Sequence, residues 1–582
     1  MTGLIDKKTG LSTDTVPGAK SILKKFDVTK LILFVSIGVL VVFVAWPVLL
    51  ILFNALFGGG NGFNFADIEK IFSNPQTYQA LLNSLIIASG TTVFSTIVGT
   101  FFAWLVTRTD LPCKGLMKAL FLIPFMFPSF IGALAWKMLL NPRSGYINTL
   151  WMDMTGLDTP LFNIYSYLGM MLVETMYLFP FVFIQVSGAL ERMDPTLEES
   201  ARISGAGLFT ITRKITLPLV LPSVASGALL IMLYSMAHFG TVAVLGVQNG
   251  IYNIPTLIYQ QINSSAGSME SIRTGTMLAS ILIACAALIL WVQSKVVGSG
   301  KYQIISGKSF RPVVMKLRGL RWPLFAFCVI YILVTIALPT VIIFMVGGLR
   351  TFGLPFTSAN LSLDNYMYVL FGWDLTRDAI FNSVTLGLAA ALITMFAGVM
   401  ISYVLVKMKT KGKGILQFLG MLPFSVPGSV IALGVILAWS GKFGINIYNT
   451  VWIILVAYIA RYMAFSLKSN SAALEQIHDS LTEAARASGA SMGRALRDIV
   501  LPLARPGMIS AFFLIFLPSL RELTVSVMLY SPNTRTLGVA IYTLNEEGET
   551  VRSAALAGVA LIIIVIGQIF IKTVLERKSK DA

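Results

Sequence analysis

The chain has 582 residues, of which 56% are hydrophobic and only 12% charged, and its net charge is +17. That apolar content excludes a soluble globular protein. The charge does not mark a nucleic-acid-binding face either, because most of the Lys and Arg fall in connections on one side of a single membrane topology.

From the N-terminus, residues 1–30 read as a polar cytoplasmic segment with Lys7, Lys8, Lys20, Lys24, Lys25 and Lys30. The apolar run that follows is too long for the core of a cleavable signal peptide. Twelve runs are long enough to cross a bilayer, near 31–57, 81–106, 116–140, 165–190, 219–246, 274–298, 323–348, 379–406, 415–438, 447–470, 507–530 and 552–574. The basic clusters Arg108/Lys114/Lys118, Lys295 to Arg321, Lys407 to Lys413 and Lys572 to Lys580 follow even-numbered spans, which places both termini in the cytoplasm. The expected fold is an all-α polytopic membrane protein of about 12 helices in two homologous six-helix halves. Its divisions are a cytoplasmic segment 1–30, an N-terminal half 31–298, a basic cytoplasmic linker 299–322 and a C-terminal half 323–582.

The halves repeat. Asn83-Ser84 matches Asn382-Ser383 at an offset of 299, and Pro124 and Pro128 match Pro423 and Pro427 at the same offset. Spans of like number therefore run the same way, and a solute path would lie between the halves. The four prolines would kink the third span of each half, against either a path or plain helix packing. The first half carries extra residues in its outside loop, around Asn141 to Tyr165, where Tyr146, Trp151, Phe162 and Tyr165 read as an interfacial belt.

After spans four and ten comes a polar, helix-prone stretch in two copies. EESARISGAGLFTITRKITLP ends at Pro218, and EAARASGASMGRALRDIVLP ends at Pro502. At an offset of 284, Glu199, Ala201, Gly205, Leu217 and Pro218 fall on Glu483, Ala485, Gly489, Leu501 and Pro502. Gly205 and Gly489 suit a turn between two short helices, because glycine accepts positive φ without strain. Glu199 and Glu483 suit first-turn capping or pairing with an Arg on a partner. These loops, about 192–218 and 474–506, read as two equivalent docking points on the cytoplasmic side.

Ionisable residues inside spans are candidates for a path because their burial is costly. They are Glu174, His238, Arg461, Arg521 and Glu522. The 284 offset lays His238 over Glu522, roughly 27 Å along the fifth and eleventh spans at ~1.5 Å per residue, toward the outer side. Glu174 and Arg461 lie within about one turn of the same depth and are a candidate pair across the halves. A structural ion pair or a snorkelling side chain is the alternative for all five. Cys113, Cys285 and Cys328 read as buried small hydrophobes, and two His without a carboxylate cluster make no conventional metal site. Gly307-Lys308-Ser309 lacks the Gly that a phosphate-cradling loop needs, since Tyr302 stands there. The chain is therefore expected to bind no nucleotide of its own.

The doubled Glu-Ala-Ala loop, the fused halves and strings such as ALAWKMLLNPRSGYIN (133–148) and AHFGTVAVLG (237–246) resemble the fused permeases of ferric-iron-type ABC importers. The resemblance implies the type I importer permease fold and a location in the bacterial cytoplasmic membrane. It implies two copies of an ATPase subunit, holding ATP and Mg, on the two loops, and an extracytoplasmic solute-binding protein outside. Ferric iron is the first cargo implied. Phosphonates, sugar phosphates, thiamine and polyamines are the alternatives within the family, and an ion-coupled secondary transporter is the distant one. The family's acidic residue before Phe-Gly is His238 here.

Overall fold

A computed structural model of the protein describes residues 28–57, 65–194, 196–264, 269–298 and 314–580. The N-terminal lysines before Val28 and the tempting Gly307-Lys308-Ser309 lie outside the described residues. Ten helices are long and apolar enough to cross a membrane singly, and two further crossings are bent pairs, which gives the expected twelve. In the first half these are α1 (Lys30–Phe57), α2 (Pro75–Arg108), the bent pair α3 (Lys114–Met126) and α4 (Ser129–Leu140), α6 (Tyr167–Arg192), α8 (Phe209–Met236) and α11 (Glu270–Val296). Between them stand the shorter α5 (Tyr146–Thr155), α7 (Thr196–Ile203), α9 (Gly240–Leu245) and α10 (Ile254–Ser264). The second half repeats the plan with α12 (Arg318–Gly347), α13 (Asp374–Lys407), the bent pair α14 (Lys413–Ser425) and α15 (Gly428–Trp439), α16 (Val451–Glu475) and α17 (Asp479–Ala487). It closes with α18 (Met492–Leu520), α19 (Ser526–Leu529), α20 (Leu537–Glu546) and α21 (Thr550–Lys580).

The bends are 92° between α3 and α4 and 114° between α14 and α15. Only the second proline of each matched pair makes them. Phe127 and Val426, immediately before Pro128 and Pro427, are extended at ψ 140° and 125°. A proline ring disfavours the helical region for its predecessor, so the chain must turn there. Pro423 sits inside α14, and Pro124 stands in the first turn of Ile123–Met126, just after a turn at Phe121–Leu122.

The fifth span of each half differs from its apolar run. In place of 219–246, α8 starts at Phe209 and ends at Met236, and α9 follows a break at Ala237–Phe239. In place of 507–530, α18 covers Met492–Leu520 and breaks through Arg521–Val525 before α19. Apolar residues resume on both sides of His238 and of Arg521-Glu522, so a window-averaged hydropathy reading runs through both breaks.

Within each half the second and fourth spans pack closely at glycine. A Cβ on Gly99 would stand 2.8 Å from the Phe179 carbonyl oxygen, and one on Gly398 would stand 2.1 Å from Ser466 Oγ. Small residues at such crossings let helix backbones approach where lipid gives no hydrophobic drive. The first spans reach across to the opposite half while keeping contacts in their own, α1 with α11 and α12 with α21. Helix α1 packs on α13 and α15 of the opposite half, while Phe327 and Tyr331 of α12 lie against Phe102 of α2, at ring separations of 6.0 and 4.7 Å.

The extra outer residues form α5. Its Tyr146 hydroxyl donates to the Leu354 carbonyl at 3.2 Å, and its ring lies 4.5 Å from that of Phe356. Tyr165 accepts from Asn141 Nδ2 at 2.9 Å. Both are therefore spent on protein contacts and not on a lipid belt, whereas Trp151 stays partly exposed. Cys328 is buried and Cys285 half-buried, but Cys113 is exposed, at φ 51° in the turn that opens α3.

Candidate functional site

The two loop copies fold alike. Helix α7 ends with Gly205 at φ 82°, and α17 ends with Gly489 at φ 88°. The N–H of the next residue reaches back to the shared alanine: Ala206 N to Ala201 O at 3.0 Å, and Ala490 N to Ala485 O at 3.0 Å. This six-to-one bond closes a helix on a left-handed residue, a place that glycine fills at least cost. Next, Thr212–Thr216 and Leu496–Val500 form π-turns that run straight into Leu217-Pro218 and Leu501-Pro502. Proline has no N–H for the ladder, and the wider turn absorbs that missing bond.

Glu199 and Glu483 are both exposed. Glu199 lies in the first turn of α7, but the first-turn acid of α17 is Asp479, and Glu483 stands one turn further in. Beside them Leu197, Ile203 and Leu481 are exposed apolar side chains. Each loop is held from the end of the second span of its own half. Arg108 and Glu198, both with 0% side-chain exposure, face each other at 3.4 Å. Glu198 also accepts from Thr216 Oγ1 at 2.6 Å, and Arg108 donates to the Leu190 carbonyl at 3.0 Å. In the second half Lys407 bonds the Ile477 carbonyl and pairs with Asp479 at 2.7 Å. That bond and charge hold the exposed Asp479 carboxyl below its usual range.

Four of the five intramembrane candidates line one cavity of about 230 Å³ between the halves: His238, Arg461, Arg521 and Glu522. Its walls include Phe127–Phe130 and Ser425–Gly428, the two proline bends, together with Tyr234 and Tyr462. Glu174 stands behind His238. Its Oε1 meets His238 Nδ1 at 2.9 Å, while Oε2 accepts from Ser235 Oγ and, at 3.3 Å, from Thr91 Oγ1. His238 Nε2 lies 2.7 Å from Ser129 Oγ, so the ring ties the break after α8 to the bend before α4.

Arg461 does not meet Glu174. It faces Glu522, with Nε 3.7 Å from Oε1. Equal depth says nothing about the direction around a helix axis, and each acid found its partner within its own half. Glu522 Oε2 accepts from Val525 N at 2.8 Å and Ser526 N at 3.1 Å, closing the start of α19. Arg521 reaches across the halves, its Nη1 donating to the Phe125 carbonyl at 2.9 Å.

Nor do these residues lie toward the outside. Glu174 and His238 stand level with Thr91, half-way along the 34-residue α2. The outer layer is supplied instead by chain beyond the breaks, where the rings of Phe239, Tyr259 and Tyr542 cluster at 5.3 to 6.2 Å. Lys137 of α4 crosses there to Asn545 Oδ1 at 2.9 Å.

The family described as binding-protein-dependent transport system inner membrane component matches residues 95–297 and again 394–580, together more than half of the chain. The chain belongs to this family. Its relatives include the putative ferric transport system permease protein FbpB 1 of Haemophilus influenzae, 28% identical over 85% of this chain and 76% of that protein. The ferric transport system permease protein FbpB of Actinobacillus pleuropneumoniae is 28% identical over 90% and 74%. A putative 2-aminoethylphosphonate transport system permease protein PhnV of Salmonella paratyphi A is 32% identical over 38% of this chain and 81% of that protein. The chain is thus an ABC importer permease with two homologous halves, a multi-pass protein of the inner membrane.

In this permease, sequence reasoning passed over Arg108, Glu198, Ser129 and Lys137. Arg108 had a signal, because the 299 offset lays it on Lys407 and both end a second span. Ser129 had none, since its match is Gly428. That glycine has its own reason. A Cβ there would stand 2.1 Å from Arg461 Nη1. Gly428→Ala is expected to displace the guanidinium and remove most uptake while the chain still assembles, to be checked by transport alongside size-exclusion elution.

Proposed function

We propose that the chain passes a small solute, ferric iron first among candidates, from an extracytoplasmic binding protein through the cavity between its halves. Two copies of a separate ATPase subunit, which hold ATP and Mg, drive it from the two loops, and both chain termini lie in the cytoplasm. The observation that carries this reading is the pairing of two alike, exposed loops with a cavity between the halves. Exposed Ile203 and Leu197 beside Glu199 give the first loop the mixed apolar and charged surface that a docking partner needs. The cavity supplies contacts that differ between two states, and that difference is what an ATP-driven conformational change can act upon. The chain itself needs no bond chemistry for this.

Ferric iron is supported by the names and near full-length matches of the FbpB relatives. The higher local identity to a phosphonate permease favours a second cargo, an organophosphonate, in the same mechanism. The experiment is uptake and ATP hydrolysis by the reconstituted complex with loaded binding protein, for wild type and for Glu199→Ala with Glu483→Ala. We expect the double variant to lose ATPase association and uptake together. Uptake at the wild-type level with both loops altered would reject the importer reading in favour of an ion-coupled transporter.

A further inference from the structure

We infer that the cavity between the halves is a binding site for a small oxyanion, with Arg521 as its principal charge. The inference rests on the importer reading and names the class of solute that its path accepts.

Both carboxylates near the cavity are already committed. Glu174 takes bonds from Thr91, Ser235 and His238, and Glu522 takes bonds from two backbone N–H groups and faces Arg461. Neither offers a free oxygen pair to a bare cation, and among the described residues no three His, Cys, Asp or Glu side chains gather to ligate a metal. The positive groups are in surplus. Arg461 has one carboxylate to face, and Arg521 has none among the described residues, only the Phe125 carbonyl and ring. A guanidinium half-way through a bilayer protein without an acid partner is costly, and a ligand that pairs with it removes that cost.

The backbone adds to the same sign. Helices α4 and α15 both start on the cavity wall, at Ser129 and Gly428, and neither carries a side-chain cap. Their positive dipole ends therefore border the space that Arg521 and Arg461 line, although the N–H groups of Ile131 and Ile431 are already bonded to the Pro128 and Pro427 carbonyls. A phosphonate or phosphate meets this donor set directly. Ferric iron meets it as a complex whose outer groups are anionic.

The test is equilibrium dialysis of the purified full-length permease in nanodiscs against inorganic phosphate, methylphosphonate and ferric citrate. We expect saturable binding that Arg521→Gln weakens roughly tenfold or more, as loss of a charged hydrogen bond implies, and that Arg521→Lys weakens less. Binding of methylphosphonate alone points to an organophosphonate cargo, and binding of ferric citrate alone points to iron carried as an anionic complex. No saturable binding of any of the three, or equal binding in wild type and Arg521→Gln, overturns the inference. Should Arg521→Gln aggregate, the wild-type unfolding midpoint decides: no rise with any of the three over equal ionic strength of chloride also overturns it. The assay needs no ATPase, so such a failure leaves the importer reading standing.

Discussion

Arg108→Ala is expected to destabilise the folded permease by about 3–5 kcal/mol, because it strands Glu198 as a buried charge without its partner. The measurement is thermal unfolding of the purified protein, with the fraction reaching the membrane as a second readout. Glu198 keeps its bond from Thr216, which cannot neutralise a carboxylate with 0% side-chain exposure. Adding Glu198→Gln to Arg108→Ala removes the stranded charge and should recover much of the loss. The matched Lys407→Ala makes the comparison, since Asp479 is 68% exposed and water can take over its solvation. It should cost no more than about 1 kcal/mol. Equal melting of Arg108→Ala and Lys407→Ala would show that the first loop is not held by its buried pair.

Gly205→Val together with Gly489→Val is expected to abolish transport while leaving the spans folded. Both glycines have positive φ, where a β-branched side chain is strained by about 1–3 kcal/mol per site. No heavy atom lies within 4 Å of a Cβ built at either position, so the effect would come from backbone conformation and not from crowding. The strain falls on the turn that sets α7 and α17 against the segments after them. Co-purification of the ATPase subunit and solute uptake should therefore drop together, with an unchanged elution profile for the permease alone. Wild-type uptake in the double variant would mean that the turn geometry is not what a partner reads.

These expectations mark where the sequence was legible. The doubled loops and the twelve crossings are local matters of spacing and hydropathy, and they can be read residue by residue, whereas of the four prolines expected to kink the spans only Pro128 and Pro427 carry the large bends. The breaks at His238 and Glu522 could not be read that way. His238, Arg521 and Glu522 are visible there as polar residues inside apolar runs, but the helix ends because Ser129 Oγ and the α19 backbone bond the side chains in the break, contacts made with distant or later chain. The repeat offset set Glu174 and Arg461 at neighbouring depths, but depth without azimuth paired them wrongly. Glu198 was passed over for a related reason. It sits beside Glu199 in the chain, and only Arg108, ninety residues earlier, distinguishes the buried acid from the exposed one.

The reach of α1 and α12 bears on how the molecule can move. Each grips both repeats, α1 touching α13 and α15 as well as α11, and α12 touching α4 as well as α21. Any motion that parts the halves must therefore slide these two helices along one wall while they stay with the other. Duplication produced two units that are contiguous along the gene, and the clasped packing left neither free to swing without a helix shared with its neighbour.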